Sequence, residues 1–165
     1  MIIMDIRLFD ETDIDQLTKL IAMFRVFLSE LKGNTRKENL DAAKGELEDY
    51  IEKQYPIFVA EAKGLIIGYI VCRIEETVVW AESLFVLPEY RKQGVASALY
   101  DKAENIAKEL GGDTVYNWVH PNNHRIISFL DKKGYNVLNL IEVRKKRENE
   151  NISQKIKVNQ HEFDY

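Results

Sequence analysis

Leu84-Phe85-Val86-Leu87-Pro88-Glu89-Tyr90-Arg91-Lys92-Gln93-Gly94-Val95-Ala96-Ser97 reads in one pass as a strand, a loop and the first turn of a helix. The apolar β-formers stop at Pro88, and from Val95 the apolar residues Ala98, Leu99, Ala103, Ile106 and Ala107 recur at three- and four-residue steps until Gly111-Gly112 closes the pattern. A helix N-terminus that follows a loop with small residues at Gly94 and Ala96 presents unpaired backbone N–H groups and the positive end of a dipole. That geometry suits an anion of pyrophosphate size, with Arg91 and Lys92 adding charge. A plain helix entrance on a solvated basic loop is the alternative, and for these residues in isolation it is the default.

Outward from this loop, the upstream chain reads as three antiparallel strands over residues 57–60, 65–74 and 77–87, the first two joined by a Lys63-Gly64 turn. Before them lie a strand over residues 2–8 and a helix from Ile14, after caps at Asp10 and Asp13. This helix runs on or breaks near Gly33-Asn34, and a second helix covers residues 37–53. Downstream come a short strand over residues 114–119, a helix from Pro121 to about Lys133 stopped by Gly134, and a strand over residues 135–144. The order is βααβββαβαβ. Residues 145–165 read as a terminal strand that pairs with the one before it through a turn at 149–151, or as a polar, disordered tail.

The bulk numbers bound this reading. The 165 residues, 45% of them hydrophobic, suffice for one domain with a continuous core and no cross-links. The single cysteine, Cys72, excludes an internal disulfide and points to a reducing, cytoplasmic setting. No segment approaches the length of a bilayer span, and the N-terminus lacks signal-peptide character. A formal charge of −4 gives no footprint for nucleic acid. The three histidines are scattered, so no metal site is expected.

Arg91, Gly94 and Ala96 match the R/Q-x-x-G-x-G/A acetyl-CoA signature, and Asn123, Ile126, Phe129 and Gly134-Tyr135 follow the steps of a second motif, N-x-x-A-x-x-F/L-Y-x-x-x-G-F/Y. With these motifs and this element order, the chain resembles the GNAT superfamily of acetyl-CoA-dependent N-acetyltransferases over nearly its whole length. The resemblance implies a single α/β domain, 1–165, with a mixed, mostly antiparallel sheet of six or seven strands flanked by about four helices. It implies acetyl-CoA as cosubstrate and a small-molecule or peptide amine as acceptor, joined in a ternary complex; a homodimer is left open. A non-catalytic acyl-CoA-binding or sensing protein of the same fold is the rival reading.

Residue by residue, the resemblance places Leu84, Phe85 and Val86 along the pantetheine arm, which pairs with their backbone as an added strand. Arg91, Lys92, Gln93, Gly94, Val95, Ala96 and Ser97 hold the pyrophosphate. Asn123 contacts the cofactor, or caps the last helix. An amine of pKa near 10 is protonated at neutral pH, so a base is needed. Glu82 is the candidate, on a strand face that period 2 shares with Trp80 and Leu84; an ordinary strand carboxylate is the alternative. The chain departs from the family at Leu130, where a tyrosine commonly protonates the leaving thiolate. Water, Tyr116, His120 or Tyr135 are the substitutes to weigh.

Overall fold

The structure, a computed structural model, describes residues 2–165. It contains strands β1 (Asp5–Leu8), β2 (Ile57–Ala62), β3 (Leu65–Glu75), β4 (Val78–Val86), β5 (Lys155–Val158) and β6 (His161–Asp164). Its helices are α1 (Ile14–Leu31), α2 (Leu40–Glu52), α3 (Val95–Glu109) and α4 (His124–Lys132). The chain forms two compact units, the first ending at Ser128 and the second comprising Phe129–Tyr165.

In the first unit β1 to β4 form an antiparallel sheet in sequence order. The register stacks Val59, Tyr69 and Phe85 in one row and Ala60, Gly68 and Val86 in the next, so the two rows point to opposite faces. The first row packs under α1 and α2, where Leu17, Ile21, Leu47 and Tyr50 complete a buried cluster. The second row lies under α3, close enough that a Cβ built on Gly68 would stand 3.3 Å from Leu99 Cδ1 and 3.0 Å from Phe85 O. Both sheet faces are covered, which explains why β3 reads as a nearly unbroken apolar run and not as an alternation.

Helix α1 runs unbroken to Leu31 and ends when Asn34 N–H bonds to Ser29 O and Gly33 N–H to Glu30 O. Its start is tied to the sheet by Asp13, which is 3% exposed and takes two hydrogen bonds of 2.7 and 2.8 Å from Arg7 of β1. The same guanidinium reaches Glu61 of β2. Helix α2 begins at Leu40, three residues later than the pattern predicts, because Asn39 supplies the cap through a 2.9 Å bond from Ala42 N–H.

The expected antiparallel sheet with four helices is present, with six strands divided between two sheets. The expected strand over residues 114–119 contracts to one parallel bridge, Trp80 to Tyr116. Asn117 explains part of this: its amide bonds back to Val115 O and to the Tyr100 hydroxyl, so the side chain competes with a continued ladder.

In the second unit, α4 closes with Tyr135 N–H on Leu130 O and Gly134 N–H on Asp131 O, as the glycine predicts. The expected strand over 135–144 is not formed. Nor does the tail pair with it: β5 pairs with β6 through a turn at Asn159, φ 54°, so the tail is an ordered hairpin of its own. The polar sequence of β6 hid this strand, since a hairpin held by backbone bonds and the Lys155 to Glu162 ion pair needs little apolar periodicity.

Candidate active site

The first unit holds an open strand edge beside an uncapped helix. On the outer side of β4, Ala81 N–H bonds to Tyr116 O at 2.9 Å and Tyr116 N–H to Val79 O at 2.8 Å, and beyond Ala81 no strand among the described residues pairs with that edge. Leu87 N–H turns inward to Ile67 O, so strand alternation turns the backbone groups of Val86 and Leu84 outward and those of Phe85 toward β3. The three residues expected along a ligand arm are therefore present on the strand, two of them facing the open edge.

The loop after Pro88 is left-handed at Lys92, φ 59°, and at Gly94, φ 84°, which precedes α3 without a side-chain cap. The first helical bond is Ala98 N–H to Gly94 O, so the N–H groups of Val95, Ala96 and Ser97 have no main-chain acceptor. Lys92, Gln93 and Gly94 are exposed around them. Together these groups can receive an anion at the positive end of a fifteen-residue helix.

Arg91 folds back against the strand. Its Nε donates to Val86 O at 2.9 Å, and the guanidinium lies over the rings of Phe85 and Phe27 at 5.4 and 5.8 Å. Arg125 of α4 covers the same Phe27 ring at 5.6 Å. Burial, and then the charge of Arg125, lower the pKa of Arg91. Neither guanidinium forms a salt bridge among the described residues, although the charge of Glu89 acts on Arg91 from further off.

Glu82 occupies a β-bulge. Val71 pairs with Ser83 and Cys72 with Ala81, so Glu82 is the extra residue on β4, with no partner on β3. The bulge corrects the face assignment read from period 2. Trp80, opposite Arg73, shares a face with Ser83, and Leu84, opposite Ile70, lies on the other. The Ser83 hydroxyl is 2.8 Å from that of Tyr69, which anchors the strand at the bulge.

Arg73 was not singled out by the sequence reading, although an arginine two residues after Val71 in an apolar strand is a visible signal. It donates from Nε to Glu82 Oε2 at 2.8 Å, and its guanidinium lies 4.8 Å from the Trp80 ring and 5.0 Å from the Trp118 ring. Trp80 also packs on Tyr116 at 5.2 Å, so Glu82 borders an aromatic wall where the outer edge of β4 opens.

Asn123 is 8% exposed and accepts from Ile126 N–H at 3.4 Å, the capping geometry of α4. Burial and then Lys32 lower the pKa of His120, whose Nδ1 accepts from Asn122 N–H at 3.1 Å. Leu130 is buried and brings no proton donor. Among the described residues no group of His, Cys, Asp and Glu is arranged to hold a metal.

A strand with an open edge that leads through a left-handed loop into an uncapped helix can receive an extended ligand along the strand and an anion at the helix start. The pattern of the acetyltransferase (GNAT) family matches residues 20–135, and the chain belongs to that family. An uncharacterised N-acetyltransferase of Methanocaldococcus jannaschii is 33% identical over 85 residues, covering 47% of this chain and 38% of the relative. Another, from Archaeoglobus fulgidus, is 26% identical over 138 residues, 76% of this chain and 88% of the relative. Among solved structures, that of AAC(6')-Iy with a CoA bisubstrate analogue superposes with a TM-score of 0.68 at 23% identity, over 87% of this chain and 98% of the other.

Proposed function

We propose that the chain, acting as one domain, transfers the acetyl group of acetyl-CoA directly to a primary amine in a ternary complex, in the cytoplasm. The observation that carries this reading is the open edge of β4 running into the uncapped N-terminus of α3. Leu84 and Val86 would pair with the pantetheine arm, and the N–H groups of Val95, Ala96 and Ser97, with Lys92 and Gln93 around them and Gly94 behind, would hold the pyrophosphate. Phe85 supports the edge from its buried face, and Asn123 positions the start of α4. Arg91 acts at the junction, where its Nη atoms remain available while Nε holds Val86 O.

In the reaction the amine nitrogen forms a bond to the thioester carbon, the C–S bond breaks, one amine proton goes to a base and the sulfur takes up a proton. Glu82 is the proposed base. Arg73 binds Oε2, and among the described residues Oε1 has no hydrogen-bond partner, so one oxygen is fixed and the other is available to an ammonium or an intervening water. The acceptor then approaches along Trp80 and Trp118. The aminoglycoside substrate class of AAC(6')-Iy makes aminoglycosides one arm of an acceptor panel, beside polyamines and peptide amines.

The test is release of CoA thiol from acetyl-CoA across that panel. Glu82→Gln should lower kcat at neutral pH by 10²-fold or more, on the order of a general-base contribution, with little change in acetyl-CoA affinity. Unchanged turnover and pH profile would leave Glu82 a structural residue of the bulge. The buried Leu130 favours the second reading, a protein that binds acyl-CoA without turnover; binding of acetyl-CoA with no thiol release from any acceptor would select it.

A further inference from the structure

Arg91 and the helix that follows it serve opposite faces of the sheet. Helix α3 covers the row of Gly68 and Val86, whereas the Arg91 guanidinium lies over Phe85, of the row beneath α1 and α2, and over Phe27 of α1 itself. Its charge is delivered to the α1 face. Because Nε is held by Val86 O, the two Nη atoms are what it can offer there.

A second guanidinium, that of Arg125, meets it on the same Phe27 ring at 5.6 Å, and its charge acts on Arg91. All of these residues belong to the first unit, which ends at Ser128. The end of α1 is fixed to the segment before α4 by Asn122 Nδ2, which donates to Leu31 O at 2.9 Å, and the next residue, Lys32, brings a third charge, felt at His120. Among the described residues none of the three cations forms a salt bridge, and Glu89 reaches Arg91 only at longer range. In a chain with 27 acidic and 23 basic residues, three cations gathered without a carboxylate repel one another until an anion is placed among them.

We propose that Arg91 and Arg125 bind a carboxylate carried by the acceptor, so that the acceptor is an amine with an acidic group on the same chain, such as the amino end of a short peptide. The inference rests on Glu82 as the base of the transfer. Phe85 lies three residues along β4 from Glu82, about 10 Å at the rise of a strand, and three extended peptide residues span about the same length. An amine at Oε1 of Glu82 therefore leaves a carboxylate at the far end of a tripeptide within reach of both guanidinium groups, each of which donates in a planar fork. A cofactor phosphate would offer similar oxygens, but the N–H groups of Val95, Ala96 and Ser97 already form its cradle at the start of the helix on the other face.

Triglycine and triglycinamide differ in that carboxylate alone, and thiol release from acetyl-CoA with each is the test. The unaltered protein should show a kcat/KM higher by about tenfold or more for the acid, the range of a charge-assisted hydrogen bond. Arg125→Gln should bring the ratio to about one and leave CoA affinity, read by calorimetric titration, unchanged, while Arg125→Lys, which keeps the charge and loses the fork, should fall between. Equal rates for the two peptides in the unaltered protein overturn the proposal, and this comparison decides if the variants do not fold. A loss of CoA affinity in Arg125→Gln with the ratio unchanged also overturns it, since the anion is then the cofactor's own phosphate. If neither peptide releases thiol, saturation-transfer NMR on the CoA-loaded protein reads the same preference: binding of the acid over the amide sustains the carboxylate site and rejects the transfer reading, and no preference rejects the site.

Discussion

Gly94 stands at φ 84° with no atom within 4 Å of the position a Cβ would take, so the cost of a side chain there comes from the backbone and not from collision. Gly94→Val should lose about 1–2 kcal/mol of stability and also weaken CoA binding, whereas Gly94→Asn, which tolerates the left-handed region, should keep most of the stability and still weaken CoA. Calorimetric titration beside thermal unfolding separates the two effects; full affinity in both variants would remove the anion cradle from this loop. Asp13 offers a test by pH. Hydrogen bonds from Arg7 hold its carboxyl below the ordinary range, so the folded pKa lies under the unfolded value of about 3.9. The contribution is complete above that unfolded value and disappears as pH falls through the folded one. Asp13→Asn should therefore cost about 2 kcal/mol at neutral pH and progressively less as pH falls below the unfolded value, read by urea unfolding at stepped pH. A penalty independent of pH would mean that the carboxylate charge is not what Arg7 recognises.

Between elements, the decisive contact is the seat of α3 on the sheet at Gly68. A Cβ on Gly68 would meet Phe85 O and Leu99 Cδ1 at distances that force a shift, so Gly68→Val should destabilise by about 2 kcal/mol through overpacking. Because α3 carries Val95, Ala96 and Ser97 at its start, the same variant should weaken CoA binding without touching the loop; differential scanning calorimetry and CoA titration check both. An unchanged melting temperature would show that the helix can lift off the sheet at no cost. The elements also show where sequence patterns end. Helices α1, α3 and α4 were legible because their apolar steps and closing glycines are local facts, and α2 because its steps stop before Pro56, while the bulge at Glu82 was not, since a bulge depends on what the facing strand does. Arg73 and Trp118 stayed hidden for the same reason: each acquires its role from a residue on another strand or arm.

At the scale of the whole molecule, Cys72 reports on the integrity of the core. It is buried in the middle of β3, and burial pushes its thiol up to about 12, far from the thiolate form at pH 8. An aromatic disulfide reagent at pH 8 should therefore find no reactive thiol in the native protein and one in denaturant; rapid native labelling would mean that the sheet opens at β3 far more easily than its packing allows. The sequence by itself determined the order of elements from β1 to α3, the place of α4, the loop between β4 and α3 and the family, because these rest on near-neighbour periods, turn residues and a contiguous motif. Only the tertiary structure decided that β4 opens beyond Ala81, that Glu82 sits on a bulge against Arg73, that residues 135–144 form no strand in the single chain and that the tail pairs with itself. The physical reason is common to all four. A helix satisfies its own backbone, whereas a strand exists only when a second segment supplies the hydrogen bonds, and which segment does so is settled by packing across the fold.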